Sequence, residues 1–269
     1  MTKTQTALAI YLYGFTQIPP TATLTKEGKG ELPEILGVDD EHLISIHQCA
    51  GLNAVISSVA LADYTGEAGE SNLQNVAWLT PRACRHALVI DKLMEQGPVY
   101  PLSFGTLFSN ISALEQEMKS RGHAVLAVLQ HVSGCQEWSL EATLDRKKAV
   151  DSLLAEGLQC GRFSLPEGAG RRHLEEQKLR RHLTSELNEW LTHCLTSIQN
   201  ELHPLSHDFC PRRITDDKVL YDAYLIRIEK VSAFKQQVNT LSQHFEAYGF
   251  NFRVTGPWAP YSFSQRAKT

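Results

Sequence analysis

A chain of 269 residues with 42% hydrophobic and 21% charged content has the composition of a soluble globular protein, long enough for one large domain or two ordinary ones. Its formal charge of −4 provides no field that would gather nucleic acid or an anionic membrane, so neither is an expected partner. Six cysteines at 49, 84, 135, 160, 194 and 210 contain no C-x-x-C pair, which excludes a disulfide framework and predicts buried free thiols.

The first apolar run, 7–15, is β-branched and aromatic, is closed by Pro19-Pro20, and predicts a buried strand. It is too short to span a bilayer and lacks the pattern of a secretory leader, so the expected location is the cytoplasm. Residues 21–40, rich in Thr, Gly, Lys and Glu, predict an exposed loop. Two short strands at 43–47 and 52–57 flank Cys49-Ala50-Gly51 and predict an antiparallel pair. Residues 62–75 predict a mobile, acidic, glycine-containing loop.

Thr80-Pro81 reads as a helix start, with Leu88, Val89, Leu93 and Met94 supplying its apolar face up to Gly97-Pro98. A short strand at 99–102 follows. Ser109 then reads as the cap of a helix carrying Ile111, Leu114, Met118, Val125, Leu126 and Leu129, with Gly122 inside it. Ser133-Gly134 separates this set of elements from the next.

Alternation over 137–144 places Trp138, Leu140, Ala142 and Leu144 on one face of a strand. A helical region follows, interrupted around 163–170. Leu179, Leu183, Leu187, Trp190, Leu191, Cys194, Leu195, Ile198 and Leu202 then recur at steps of three and four, a long amphipathic helix stopped by His203-Pro204. Strands at 209–214 and 219–228 come next. A helix with Val231, Phe234, Val238, Leu241, Phe245 and Tyr248 ends at Gly249, and a strand at 250–255 closes the set. The expected class is α+β in two domains. The first, 1–133, is an α+β domain. The second, 134–269, has the β-α-β-β-α-β order of ferredoxin-like folds.

Past Gly256-Pro257 the chain carries Trp258, Pro260, Tyr261 and Phe263, large apolar groups where a chain end normally frays. Two readings stand side by side. Trp258 and Phe263 pack against the domain that precedes them, or Trp258 and Tyr261 anchor a partner interface.

The chain shows no P-loop, no G-x-S-x-G elbow and no grouped nucleophile and base, so no catalytic, cofactor-binding or metal residues are assigned. His203-x-x-x-His207-x-x-Cys210 has zinc-type ligands, but Pro204 breaks their helical register and the expected reading is solvated loop side chains. Arg171, Arg172, Arg180 and Arg181 form a basic stretch interleaved with Glu175, Glu176 and Glu186. Ordinary i, i+4 pairing on a solvated helix face accounts for it, and docking to an acidic partner is the alternative.

Five blocks carry a resemblance. They are Tyr11-Leu12-Tyr13-Gly14; Val99-Tyr100-Pro101-Leu102-Ser103-Phe104-Gly105-Thr106-Leu107-Phe108; Glu137-Trp138; Tyr221-Asp222-Ala223-Tyr224-Leu225-Ile226; and Thr255-Gly256-Pro257-Trp258-Ala259-Pro260-Tyr261-Ser262-Phe263. Together they resemble the gas vesicle protein F/L family along nearly the whole chain. Departures occur at Ser103, where that family usually has a basic residue, and at His173-Leu174, where it tends to have Tyr-Leu. The resemblance implies a cytoplasmic, vesicle-associated accessory protein that is not an enzyme. It implies contact with the small hydrophobic shell protein and with other accessory proteins, in support of vesicle formation or as a minor vesicle component. A small-molecule-binding or enzymatic α+β protein is the competing expectation, and it requires a concave pocket with convergent polar groups.

Overall fold

Residues 7–17, 35–215 and 217–266 are described in the computed structural model of the chain. Two units emerge, Met1–Gly134 joined by Ala259–Thr269, and Cys135–Trp258. The expected loop at 21–40 falls mostly outside the described residues, as does Asp216 of the turn between two later strands.

The first unit is built on β1 (Leu8–Thr16), β2 (Ser45–Cys49) and β3 (Leu52–Ala60). Helices α1 (Gly66–Gln74) and α2 (Val76–Met94) follow, then β4 (Val99–Pro101), β5 (Leu107–Phe108) and α3 (Ile111–Val132). The sheet order is β2-β3-β1-β4, with β5 also pairing β1, and every pairing is antiparallel. The continuous apolar run of β1 has a direct cause, because both of its faces are covered. Tyr11 and Tyr13 pack with Val89, Ile90 and Leu93 of α2, whereas Leu12 and Phe15 pack with Leu114, Met118 and Leu129 of α3. Strict alternation would put Phe15 on the Tyr13 face. A register shift between Leu12 and Gly14 turns it to the other side. Gly14 is required there: a Cβ would stand 2.6 Å from the Tyr100 carbonyl oxygen on β4.

Four local expectations are corrected. Residues 62–75 are not a mobile loop but a short 3₁₀ turn and α1, whose Gly69 lies directly on the Tyr64 backbone while Asn72 Nδ2 donates to the Asp63 carbonyl. Helix α2 starts four residues before Thr80, because the Asn75 side chain accepts from the N–H groups of Ala77 and Trp78. Pro81 is therefore an interior residue of α2. The cap of α3 is Asn110 rather than Ser109, its side chain accepting from Ala113 N–H at 2.9 Å. Leu88, expected on the core face of α2, is exposed, and His86 takes a buried place on that helix.

The second unit contains β6 (Cys135–Leu144), α4 (Arg146–Gln159), α5 (Ala169–Leu202), β7 (Asp208–Pro211), β8 (Lys218–Arg227), α6 (Val231–Glu246) and β9 (Phe250–Trp258). Its antiparallel sheet has the order β7-β8-β6-β9. Trp138, Leu140 and Ala142 of β6, with Leu220 and Tyr224 of β8, face Leu191, Ile198 and Leu202 of α5 and Phe234, Val238 and Leu241 of α6. The 34-residue α5 divides its apolar stripe between two clusters. Leu183 and Leu187 pack with Ala149, Val150 and Leu154 of α4, and only the later turns reach the sheet. Trp190 bridges the two clusters and is core, as its spacing predicts.

Strand β9 does not stop at Gly256-Pro257. It runs on to Trp258, accommodated by a register shift opposite Glu137 and Ser139. The last described element, α7 (Tyr261–Arg266), belongs to the first unit. The six cysteines are free, but none is fully buried, and Cys84 and Cys160 are exposed, against the expectation of buried thiols.

Candidate functional site

In the first unit, residues from three of the five blocks meet at His86. The ring is buried between Tyr11, Tyr13 and Phe104, stacked on Tyr13 with centroids 5.6 Å apart. Nε2 lies 3.1 Å from the Leu102 carbonyl oxygen and 3.1 Å from the Tyr261 hydroxyl. A carbonyl can only accept, so Nε2 carries the proton and Nδ1 accepts from the Tyr11 hydroxyl at 2.9 Å. Tyr11 in turn accepts from Gly105 N–H. Burial pushes the imidazole down to about 4, the hydrogen bond to Leu102 opposing it only in part. Burial likewise pushes the Tyr11 phenol far up, and the Tyr261 phenol up to about 12.

Around this knot the Tyr13 and Tyr100 hydroxyls are also occupied, whereas the buried Tyr64 hydroxyl, beside Tyr11, has no hydrogen-bond partner among the described residues. Tyr13 hydroxyl meets Ser57 Oγ at 2.9 Å and accepts from Val38 N–H. Tyr100 donates to the Ser264 carbonyl at 2.9 Å and accepts from Arg121, which Glu117 holds. The Tyr11 and Tyr261 phenols, reluctant to ionise, and the His86 ring, reluctant to protonate, make poor acid–base catalysts near neutral pH. What the arrangement does well is hold a chain segment: Tyr261 and Ser264 anchor the C-terminal residues onto β4 and α2.

The second unit gathers the other blocks. Glu137, almost fully buried, forms an ion pair with Arg212, whose guanidinium also donates to Ser139 Oγ at 2.7 Å and to the Tyr221 hydroxyl at 3.0 Å. Asp222, on the opposite face of β8, accepts from Gln199 of α5 at 2.9 Å, and burial pushes its carboxyl up. Gly256 belongs to this constellation. Its φ is +143°, and a Cβ would lie 2.9 Å from both the Glu137 carbonyl oxygen and the Trp138 ring.

The residues singled out as a candidate partner interface are divided between the two units, Tyr261 in the first and the others in the second. Trp258 ends β9 half exposed, its indole N–H on Thr255 Oγ1, so it is not the packed aromatic that the first reading expects. Phe263 is buried, but in the first unit rather than the second. Tyr261 is committed to His86 within the first unit. On α5, Arg171, Arg172 and Arg181 are exposed, whereas Arg180 is held by Asp151 and Glu176. His203 stacks on Phe209 at 3.8 Å. Among the described residues the donor atoms near enough to share an ion are those of Asp39, Glu41 and His42, a turn in which the Asp39 carboxylate already accepts from both backbone and His42 ring. His86 itself escapes a motif-based reading; its only signal is a histidine three positions before Val89 on an amphipathic face.

No helix of the described residues is long and apolar enough to cross a membrane. The profile of the gas vesicle synthesis protein GvpL/GvpF family matches residues 9–265. Among solved structures the chain is similar to the gas vesicle protein GvpF from Anabaena sp. PCC7120, with TM-score 0.68, 20% identity and 96% of each chain covered. It is also similar to GvpF from Microcystis aeruginosa, with TM-score 0.64, 18% identity, and 96% of this chain and 99% of that one covered. Among curated proteins there is no sequence match.

Proposed function

The chain belongs to the gas vesicle synthesis protein GvpL/GvpF family, and from that premise we propose that it is a non-enzymatic assembly factor that binds the small hydrophobic shell protein of the vesicle. Family membership across 9–265 carries the reading. The sites described above support it, because the polar side chains of the family blocks hold segments of the fold together rather than presenting a reactive group to solvent. A cytoplasmic location at the forming vesicle, with other accessory proteins as further partners, completes the proposal. The second unit's antiparallel order, second-third-first-fourth in its own strand count with α5 and α6 on one face, supports reading it as ferredoxin-like.

Co-expression of the tagged chain with the shell protein in bacteria tests the proposal, read by co-purification. The expected result is a complex that survives washing, and malformed or missing vesicles in cells lacking this chain. An absence of complex together with normal vesicles in such cells overturns it.

A further inference from the structure

We propose that the groove between α6 and β9 is a docking site for an extended acidic segment of a partner protein, which adds as a strand to the open edge of β9. This inference goes beyond the assembly reading and does not depend on the shell protein being the partner.

The groove arises from two periodicities laid side by side. Lys235, Val238, Asn239 and Ser242 recur at helical steps along one face of α6, and Phe252, Val254 and Gly256 recur at steps of two along β9. Between them lies a cleft of about 430 Å³, with Trp138 forming part of its wall. Val238 is buried, and Phe252 and Val254 are half-buried, so the lining is apolar below and polar at the α6 rim.

Three observations define the occupant. First, β9 is the last strand in its sheet and among the described residues pairs only with β6. Every second residue therefore aims its backbone N–H and C=O outward, which is a template for one more strand. Second, Trp138 presents an aromatic wall to the groove. Third, the Lys235 ammonium stands 4.0 Å from the centroid of the Trp138 ring and has no carboxylate partner among the described residues. A cation on an aromatic wall favours an incoming carboxylate. A chain in β conformation places alternate side chains on the same face about 7 Å apart. It can thus seat an aliphatic residue on Val238 and Val254 while the next inward residue, a glutamate or aspartate, reaches Lys235.

The test uses end-capped, fluorescein-labelled decapeptides in which valine and threonine alternate and one glutamate is moved through the central positions. Binding to the full chain is read by anisotropy, and by the indole cross-peak of Trp138 in nitrogen–proton correlation spectra, assigned with Trp138→Phe. Saturable binding that moves this cross-peak is expected. Lys235→Glu should weaken it at least tenfold, and replacing the peptide's glutamate with lysine should restore it. Lys235 is exposed, so its substitution keeps the fold, and Lys147→Glu, equally exposed on α4, should change nothing. The proposal is overturned if no peptide saturates, if binding ignores Lys235→Glu, or if the Trp138 signal stays fixed. Peptide binding without any association with the shell protein would uphold the groove and count against the assembly reading; the reverse would do the opposite.

Discussion

His86 shows what burial does to a titratable group when its neighbours complete a neutral hydrogen-bond pattern. In the unfolded chain an imidazole takes up a proton below about 6.5. In the folded chain desolvation delays this to about 4. Between those values the unfolded state binds more protons, so stability falls as pH drops through the window. The full traverse is worth roughly 3 kcal/mol. Urea midpoints measured from pH 7 to pH 4 should therefore decline, and His86→Gln should flatten the decline while lowering stability at pH 7. An equally steep decline in the variant would assign the acid sensitivity elsewhere. Asp222 works in the opposite sense: its raised carboxyl is stabilising when protonated, an effect present below about 3.9 and lost as pH rises past the folded value.

At the scale of elements, glycine placement separates necessity from habit. Gly256 has φ of +143° and its α-carbon faces both the Glu137 carbonyl and the Trp138 ring, so any side chain there displaces backbone. Gly256→Ala should cost about 1–3 kcal/mol, the usual range for a strained backbone position. Gly170, in the first turn of α5 with open space around it, provides the control, and Gly170→Ala should be neutral or stabilising by a few tenths to ~1 kcal/mol. Chemical denaturation of both variants checks the contrast; equal effects would remove the steric explanation.

Most elements were legible from periodicity. The stripe of α5, the alternation of β6 and the hairpin of β2 and β3 all arise from side-chain spacing, which is a local property. Helix starts were less legible. Asn75 and Asn110 cap α2 and α3, while Thr80-Pro81 and Ser109 also satisfy cap chemistry on paper. Which capping residue acts depends on where the preceding chain enters, and packing decides that. The turn of Phe15 onto the Leu12 face of β1 was not legible either, because a bulge leaves no mark in composition.

For the whole molecule, the decisive feature is that the chain returns its end to its first unit. Phe263 is 3% exposed there, whereas Trp258, five residues earlier, is 50% exposed in the second unit. Phe263→Ala should destabilise the first unit by about 3–5 kcal/mol, the range for removing a buried phenylalanine. Trp258→Ala should have a small effect on folding. Hydrogen exchange resolved by segment measures both: faster exchange in β1 and β4 is expected for the first variant only. Faster exchange confined to β6 and β9 after Phe263→Ala would contradict the assignment.

The α+β class, the order of nearly all elements and the blocks that carry the family can be read from the residues alone. These rest on spacing, turn chemistry and residue identity, all readable within a few positions. What the closing aromatics do depends instead on long-range packing. Tyr261 meets His86 across 175 positions and Ser264 meets Tyr100 across 164, and partners that distant leave no periodic trace. The same holds for the groove at β9, because an open sheet edge is defined by the absence of a neighbouring strand, which no residue in the strand itself records.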